Sequence, residues 1–224
     1  MPTLPVEILH SIHYRESNGL PMPVELKTRA FKAAGDYGAI SADYHDRITQ
    51  ALIDYFEGGN LTSSRNNFKK GMAYSFSAAF DLGWVDGGAD FPVDSDASDW
   101  LAAREETELG YIDSAFQQAK ALKAEVNFDY LPWVSQRADG YVQTLSSIYA
   151  AGKMWANKNQ MLTWVLGTTE QHCATCSKLA GGRHRASWYI ARDYIPQKPG
   201  AAMDCGGYYC DCDLQNDQGE SVML

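Results

Sequence analysis

The sequence predicts a mainly α protein: an N-terminal helical bundle followed by a small C-terminal α+β module. Three observations carry that prediction. Four stretches between Ser41 and Tyr149 repeat apolar residues at steps of three and four, all five cysteines lie after residue 172, and helical stripes give way to frequent glycines after Asn159. Residues 1–24 are accordingly read as an extended arm, 25–159 as a helical domain, and 160–224 as a cysteine-rich metal-binding module with an acidic tail.

The arm holds Pro2, Pro5, Pro21 and Pro23, which fix φ and remove backbone donors, so an extended path fits better than a helix. Its charged and proline residues leave no apolar run for a signal peptide, and no later stretch approaches the ~20 apolar residues that span a bilayer. Synthesis in a reducing cytoplasm is expected, where close cysteines more often bind metal than form disulfides. His10 and His13 in the arm and His45 further on read as surface histidines.

The first helix is expected over Ser41–Phe56, with Tyr44, Ile48, Ala51, Leu52, Tyr55 and Phe56 on one face, ended by Gly58-Gly59-Asn60. A second begins at Ser63 or Ser64 as cap, carries Phe68, Met72, Phe76, Ala79 and Phe80, and stops in the Gly83–Gly88 stretch. Asp94 to Ser98 offer caps for a third, whose stripe is Leu101, Leu109, Ile112, Phe116, Ala119 and Leu122 and whose other face is charged. The pattern breaks over Asn127–Pro132, and a fourth helix aligns Val134, Ala138, Tyr141, Val142, Leu145, Ile148 and Tyr149. Aromatics at this spacing are read as core.

The cysteines read Cys173-Ala-Thr-Cys176, then a spacer, then Cys205-Gly-Gly-Tyr-Tyr-Cys210-Asp-Cys212. A two-residue gap lets a tight turn aim both sulfurs to one side, so each pair supplies two corners of a tetrahedron. This is the logic of a zinc-knuckle-like module, with Zn held by four of Cys173, Cys176, Cys205, Cys210 and Cys212. Cys173 and Cys176 are the surest; the choice among the other three stays open, with Cys210 favoured as the central one. His172 and His184 are further donors. For a module of about 60 residues, a structural ion worth on the order of 10 kcal/mol can decide whether it folds. Disulfides formed after release from the cell are the main rival.

Other chemistries fit less well. Haem attachment needs His after the second cysteine, but Ser177 stands there, and the zinc-deaminase, His-Glu-x-x-His, Gly-x-Ser-x-Gly and Walker patterns are absent. No catalytic residue is expected. An enzyme reading would use Cys173 or Cys176 as a reactive thiol or a catalytic zinc site, with His172 or His184 as proton carrier. A nucleic-acid reading would use Arg183, His184, Arg185 and Arg192, otherwise read as an exposed loop. The net charge of −9 and pI near 5.0 argue against it, because phosphate binding rests on clustered cations; a basic protein surface suits the chain better. Asp204, Asp211, Asp213, Asp217 and Glu220 read as a solvated acidic tail.

Over residues 150–214 the order of motifs resembles the Mu F-like head-morphogenesis, or minor head, proteins of tailed bacteriophages. Trp164-Val-Leu-Gly167, His172-Cys173-Ala-Thr-Cys176, Leu179-Ala-Gly-Gly182, Trp188, Pro196-Gln-Lys-Pro199 and Cys205 to Leu214 carry the resemblance, which is only architectural over the helices. Where many members close with His-Pro-x-Cys-x-Cys, this chain has Cys205-Gly-Gly-Tyr-Tyr-Cys210-Asp-Cys212. The resemblance implies a virion protein made in the host cytoplasm, present in multiple copies and contacting portal, head or neck proteins; the acidic composition and lack of a long apolar stretch argue against direct nucleic-acid binding and against a membrane partner.

Overall fold

A computed structural model describes residues 37–90, 93–168, 171–196, 201–207 and 210–223. The arm assigned to residues 1–24 lies outside the described residues. The chain runs through α1 (Tyr37–Phe56), α2 (Leu61–Asp86), α3 (Ser95–Lys123), α4 (Leu131–Ala156), β1 (Met161–Val165), α5 (Ala174–Leu179), β2 (Arg183–Arg185), α6 (Ala186–Ala191) and β3 (Asp213–Gln215). The protein is therefore mainly helical with a small sheet.

α1 buries Ile40, Tyr44, Ile48, Ala51, Leu52 and Tyr55, the stripe its spacing dictates. α2 packs against α1, α3 and α4, so a single stripe does not describe it. It buries residues around most of its circumference, from Ser64 and Phe68 through Ser75 and Ala78 to Asp81 and Trp84. Edge-to-face rings join the layers: Tyr44 with Phe76 at 6.1 Å, Phe68 with Phe116 at 6.0 Å, and Phe68 with Tyr141 at 4.9 Å.

The structure corrects two local expectations and refines a third. The cap of α2 is Asn60, whose side chain accepts from the Thr62 and Ser63 N–H groups at 2.9 and 3.2 Å; the residue that looked like the end of one helix starts the next. α2 ends at Asp86, inside the expected Gly83–Gly88 stretch, but Gly83 itself is helical and marks where α4 crosses. A Cβ there would overlap the Tyr149 carbonyl oxygen, and one on Gly152 of α4 would overlap that of Phe80. On α3 the charged face is not wholly outside: Arg104 and Glu108 are buried and paired at 2.6 Å. Burial first, and the Glu108 carboxylate next, push the Tyr44 and Tyr141 hydroxyls well above the ordinary tyrosine range, keeping both neutral.

α3 is capped by Asp94, which accepts from the Ala97 N–H at 2.9 Å and pairs with Lys158 at 3.0 Å. That ion pair ties the start of α3 to the segment entering β1. Burial opposes ionisation of Asp94, but the Ala97 N–H and the Lys158 ammonium outweigh it and hold its carboxyl below the usual range; Asp113 is likewise lowered, chiefly by Arg65. Groups with lowered folded pKa values stabilise above their unfolded pKa, and the gain is lost as pH falls through the folded value. Stability is thus expected to be level from neutral pH to about 5 and to decline below about 4. In Asp94→Ala, chemical denaturation at pH 7 should show a loss of about 1 kcal/mol and a shallower acid decline.

The C-terminal part is built on an antiparallel sheet of order β2-β1-β3. Met161 faces Arg185 and Leu162 faces His184 on one side; Thr163 faces Gln215 and Trp164 faces Leu214 on the other. Leu162 and Trp164 alternate inward along β1 and join a hydrophobic core continuous with that of the helices. Trp164 packs beside Tyr189 of α6, whose hydroxyl donates to the Gly182 carbonyl at 2.9 Å. α6 in turn packs on α4, and the Ala186 and Ser187 N–H groups donate to the carbonyls of Gln160 and Lys158. Arg183-His184-Arg185 is thus an edge strand, not a loop, because β1 offers an unpaired ladder beside it.

Candidate metal centre

Beyond β1 the chain reaches His172 and Cys173, where α5 begins. Cys173 is the N-cap of that short helix, with extended backbone, and its sulfur accepts the Cys176 N–H at 3.3 Å. One helical turn brings the two Sγ atoms to 3.2 Å and buries Cys176. The second cysteine segment docks from the opposite side. Asp204 accepts from both the N–H and hydroxyl of Thr175 at 2.8 Å, and its own N–H donates to the Thr175 hydroxyl at 3.2 Å. Since Thr175 precedes Cys176 and Asp204 precedes Cys205, this reciprocal clamp sets the two segments in register.

Gly206 and Gly207 follow with φ of 60° and 75°, a left-handed turn that residues with a Cβ resist. The turn brings the Gly207 N–H to the Cys205 sulfur, while the Cys205 N–H reaches Cys173. β3 then anchors the far end, placing Cys212 in the core at 1% exposure. The Cys210 sulfur lies 4.0 Å from that of Cys176.

The five thiols fall into two overlapping groups, Cys173 with Cys176 and Cys205, and Cys176 with Cys210 and Cys212, the sulfurs of each within 4.8 Å of one another. Metal–sulfur bonds of ~2.3 Å on a tetrahedron put neighbouring sulfurs about 3.8 Å apart, so these groups are spaced to hold a metal ion. Cys176, with Cys173 the surest ligand in the sequence, belongs to both groups and is the hub, and Cys210 reaches the cluster through it. None of the five is in a disulfide.

Electrostatics point the same way. Burial alone would raise the Cys173 thiol, but the N–H groups of Cys176 and Cys205 and the neighbouring thiols outweigh it and bring it down to about 7. Cys176 and Cys205 go the other way, raised first by burial and then by the adjacent sulfurs. Neighbouring sulfurs cannot all become anions unaided, whereas a divalent cation among them reverses that balance and makes each thiolate a ligand.

A third group, His172 with Asp211 and Cys212, adjoins the thiols, with His172 Nδ1 3.8 Å from the Cys212 sulfur. In sequence His172 was one of two further donors, and Asp211 one residue of a solvated tail. Nothing in the sequence joined the two, because their proximity depends on β1 pairing with β3. His184 joins no such group among the described residues; it stacks on Trp188 at 3.7 Å. The acidic residues are not a free tail either: Asp211 accepts from Thr168, Asp213 from Ser221, Asp217 from Arg183 and Glu220 from Asn216.

The cationic residues of the nucleic-acid reading are largely committed within the module. Arg183 holds Asp217 at 2.6 Å, and Arg192 lies over the Trp188 ring at 4.3 Å. Arg183, His184 and Arg185 line an open recess with Met161, Ser187 and Trp188. Among the described residues no helix is long and apolar enough to cross a membrane. Comparison with protein-family models, with curated proteins and with solved structures yields no match.

Proposed function

We propose that this chain is a minor head component of a tailed-bacteriophage virion, acting in head morphogenesis at the portal or neck. In this reading a structural zinc ion fixes its C-terminal interaction module. The observation that supports it most is the convergence of the Cys173–Cys176 and Cys205–Cys212 segments, two motifs whose order resembles that of the Mu F-like proteins. Cys173, Cys176, Cys205 and Cys210 are the four-thiolate set. The first three form one group, Cys210 adjoins Cys176, and N–H groups already point at the sulfurs of Cys173 and Cys205. All-sulfur coordination is closed, so the ion's part is to cross-link two loops. The resulting surface serves contacts with portal, head or neck subunits.

Purified particles provide the test of the virion assignment: the protein should be incorporated in fixed proportion to the portal. Recovery solely from infected-cell lysate would refute it. The thiol-enzyme reading draws on one observation, the lowered pKa of Cys173 at a helix start. Alkylation of the native protein separates the two. Zinc-bound sulfurs should resist labelling until a chelator is added, whereas a reactive Cys173 would be modified at once.

A further inference from the structure

Four sulfurs complete a tetrahedral ion, yet the cluster offers more donors than four. Cys212 is left over from that set: it is buried and, like Cys210, stands outside the group of Cys173, Cys176 and Cys205, but it alone of the five also groups with His172 and Asp211. Beside it stand His172 and Asp211, and one donor atom from each of these three residues lies within 4.8 Å of the others.

The three are set up by their surroundings. His172 directly precedes the N-cap Cys173, with its Nδ1 3.8 Å from the Cys212 sulfur, and Asp211 lies in sequence between Cys210 and Cys212. One carboxylate oxygen of Asp211 accepts from the N–H of Thr168 at 2.6 Å and from its hydroxyl at 3.0 Å, the kind of outer bond that orients a ligating carboxylate. Gly167 leaves the space: a Cβ there would overlap that same carboxylate. A thiolate, an imidazole and a carboxylate together suit a borderline divalent ion such as zinc, and three protein ligands leave a fourth position for solvent.

We propose that His172, Asp211 and Cys212 bind a second divalent transition-metal ion, next to the four-thiolate site and separate from it. The proposal rests on the reading that Cys173, Cys176, Cys205 and Cys210 hold the first ion. The two sites meet along the Cys176, Cys210 and Cys212 wall, which is why five cysteines occur where one ion needs four.

The test is a metal count on the full chain, expressed without a polyhistidine tag and measured by elemental analysis and native mass spectrometry. Two zinc ions per chain are expected, falling to one in His172→Ala and in Asp211→Asn. One ion in the unaltered protein overturns this inference and leaves the first site standing; none overturns both. Two ions that persist in both variants also overturn it. Because Asp211 braces Thr168, cobalt titration of the unaltered protein gives a measure free of folding defects. The second equivalent should add absorption with weaker sulfur-to-metal charge transfer than the first, and identical spectra for both equivalents would count against mixed ligation.

Discussion

Cys176→Ser is expected to lose the four-thiolate ion and, with it, the ordered structure of the C-terminal module. Cys176 is the one sulfur common to both thiol groups, so its removal opens the site from every side. What remains to hold the second segment is the Thr175–Asp204 clamp, the Thr168–Asp211 and Arg183–Asp217 contacts, the short ladder of β3 on β1, and buried side chains such as Met203, Cys212 and Leu214. A structural zinc site contributes on the order of 10 kcal/mol in small domains. Hydrogen exchange should therefore show loss of protection over residues 171–223 in Cys176→Ser and in chelator-treated protein, with α1 to α4 still protected. Unchanged protection in both would remove the premise of a structural ion.

Gly83→Ala should be the most damaging change in the bundle, although glycine to alanine ordinarily favours a helix by about 1 kcal/mol. The new methyl would overlap the Tyr149 carbonyl oxygen and lie 2.9 Å from its carbon, and α4 backbone cannot swing aside as a side chain could. Separating α2 from α4 would also loosen Phe80, Trp84 and Met154, all buried at that crossing. A loss of about 3 kcal/mol or more is expected, as for overpacked cores. At ~2–4 °C per kcal/mol for a chain of this size, Tm should fall by about 6–12 °C. Gly152→Ala should behave alike, since its Cβ would overlap the Phe80 carbonyl. Gly110→Ala is the control. Nothing lies within 4 Å of its Cβ, so stability should rise by roughly 1 kcal/mol. Equal effects at positions 83 and 110 would refute the close crossing.

Much of the helical architecture was legible because burial on one face leaves a 3.6-residue imprint. α1 and α4 bury most of the residues their stripes named, among them Tyr44, Ile48, Val134 and Leu145, while Phe56 and Val142 are only partly buried. The imprint fails where a helix has neighbours on several sides, as α2 does, or where a polar pair goes inside, as Arg104 and Glu108 do. Asn60 was misread for a different reason. Glycine and asparagine signal an end and a beginning with the same letters, and only backbone geometry separates them.

The five sulfurs themselves were legible as a site, since two close-spaced pairs in so short a stretch have few other uses. Their partners were not. Thr175 and Asp204 meet across 29 residues, His172 and Cys212 across 40, and no local spacing records such distances.

By itself the sequence determined the helices, the place where they give way to a cysteine-rich segment, and the residue types able to grip a metal. The tertiary structure alone decided that Cys176 is shared by both thiol groups, that Gly83 lies at the crossing with α4, and that Asp211 and His172 stand beside Cys212. The physical reason is range. Helical periodicity and turn chemistry act over a few neighbouring residues and are written in them, whereas a ligand set is assembled by strand pairing and packing between segments far apart in the chain.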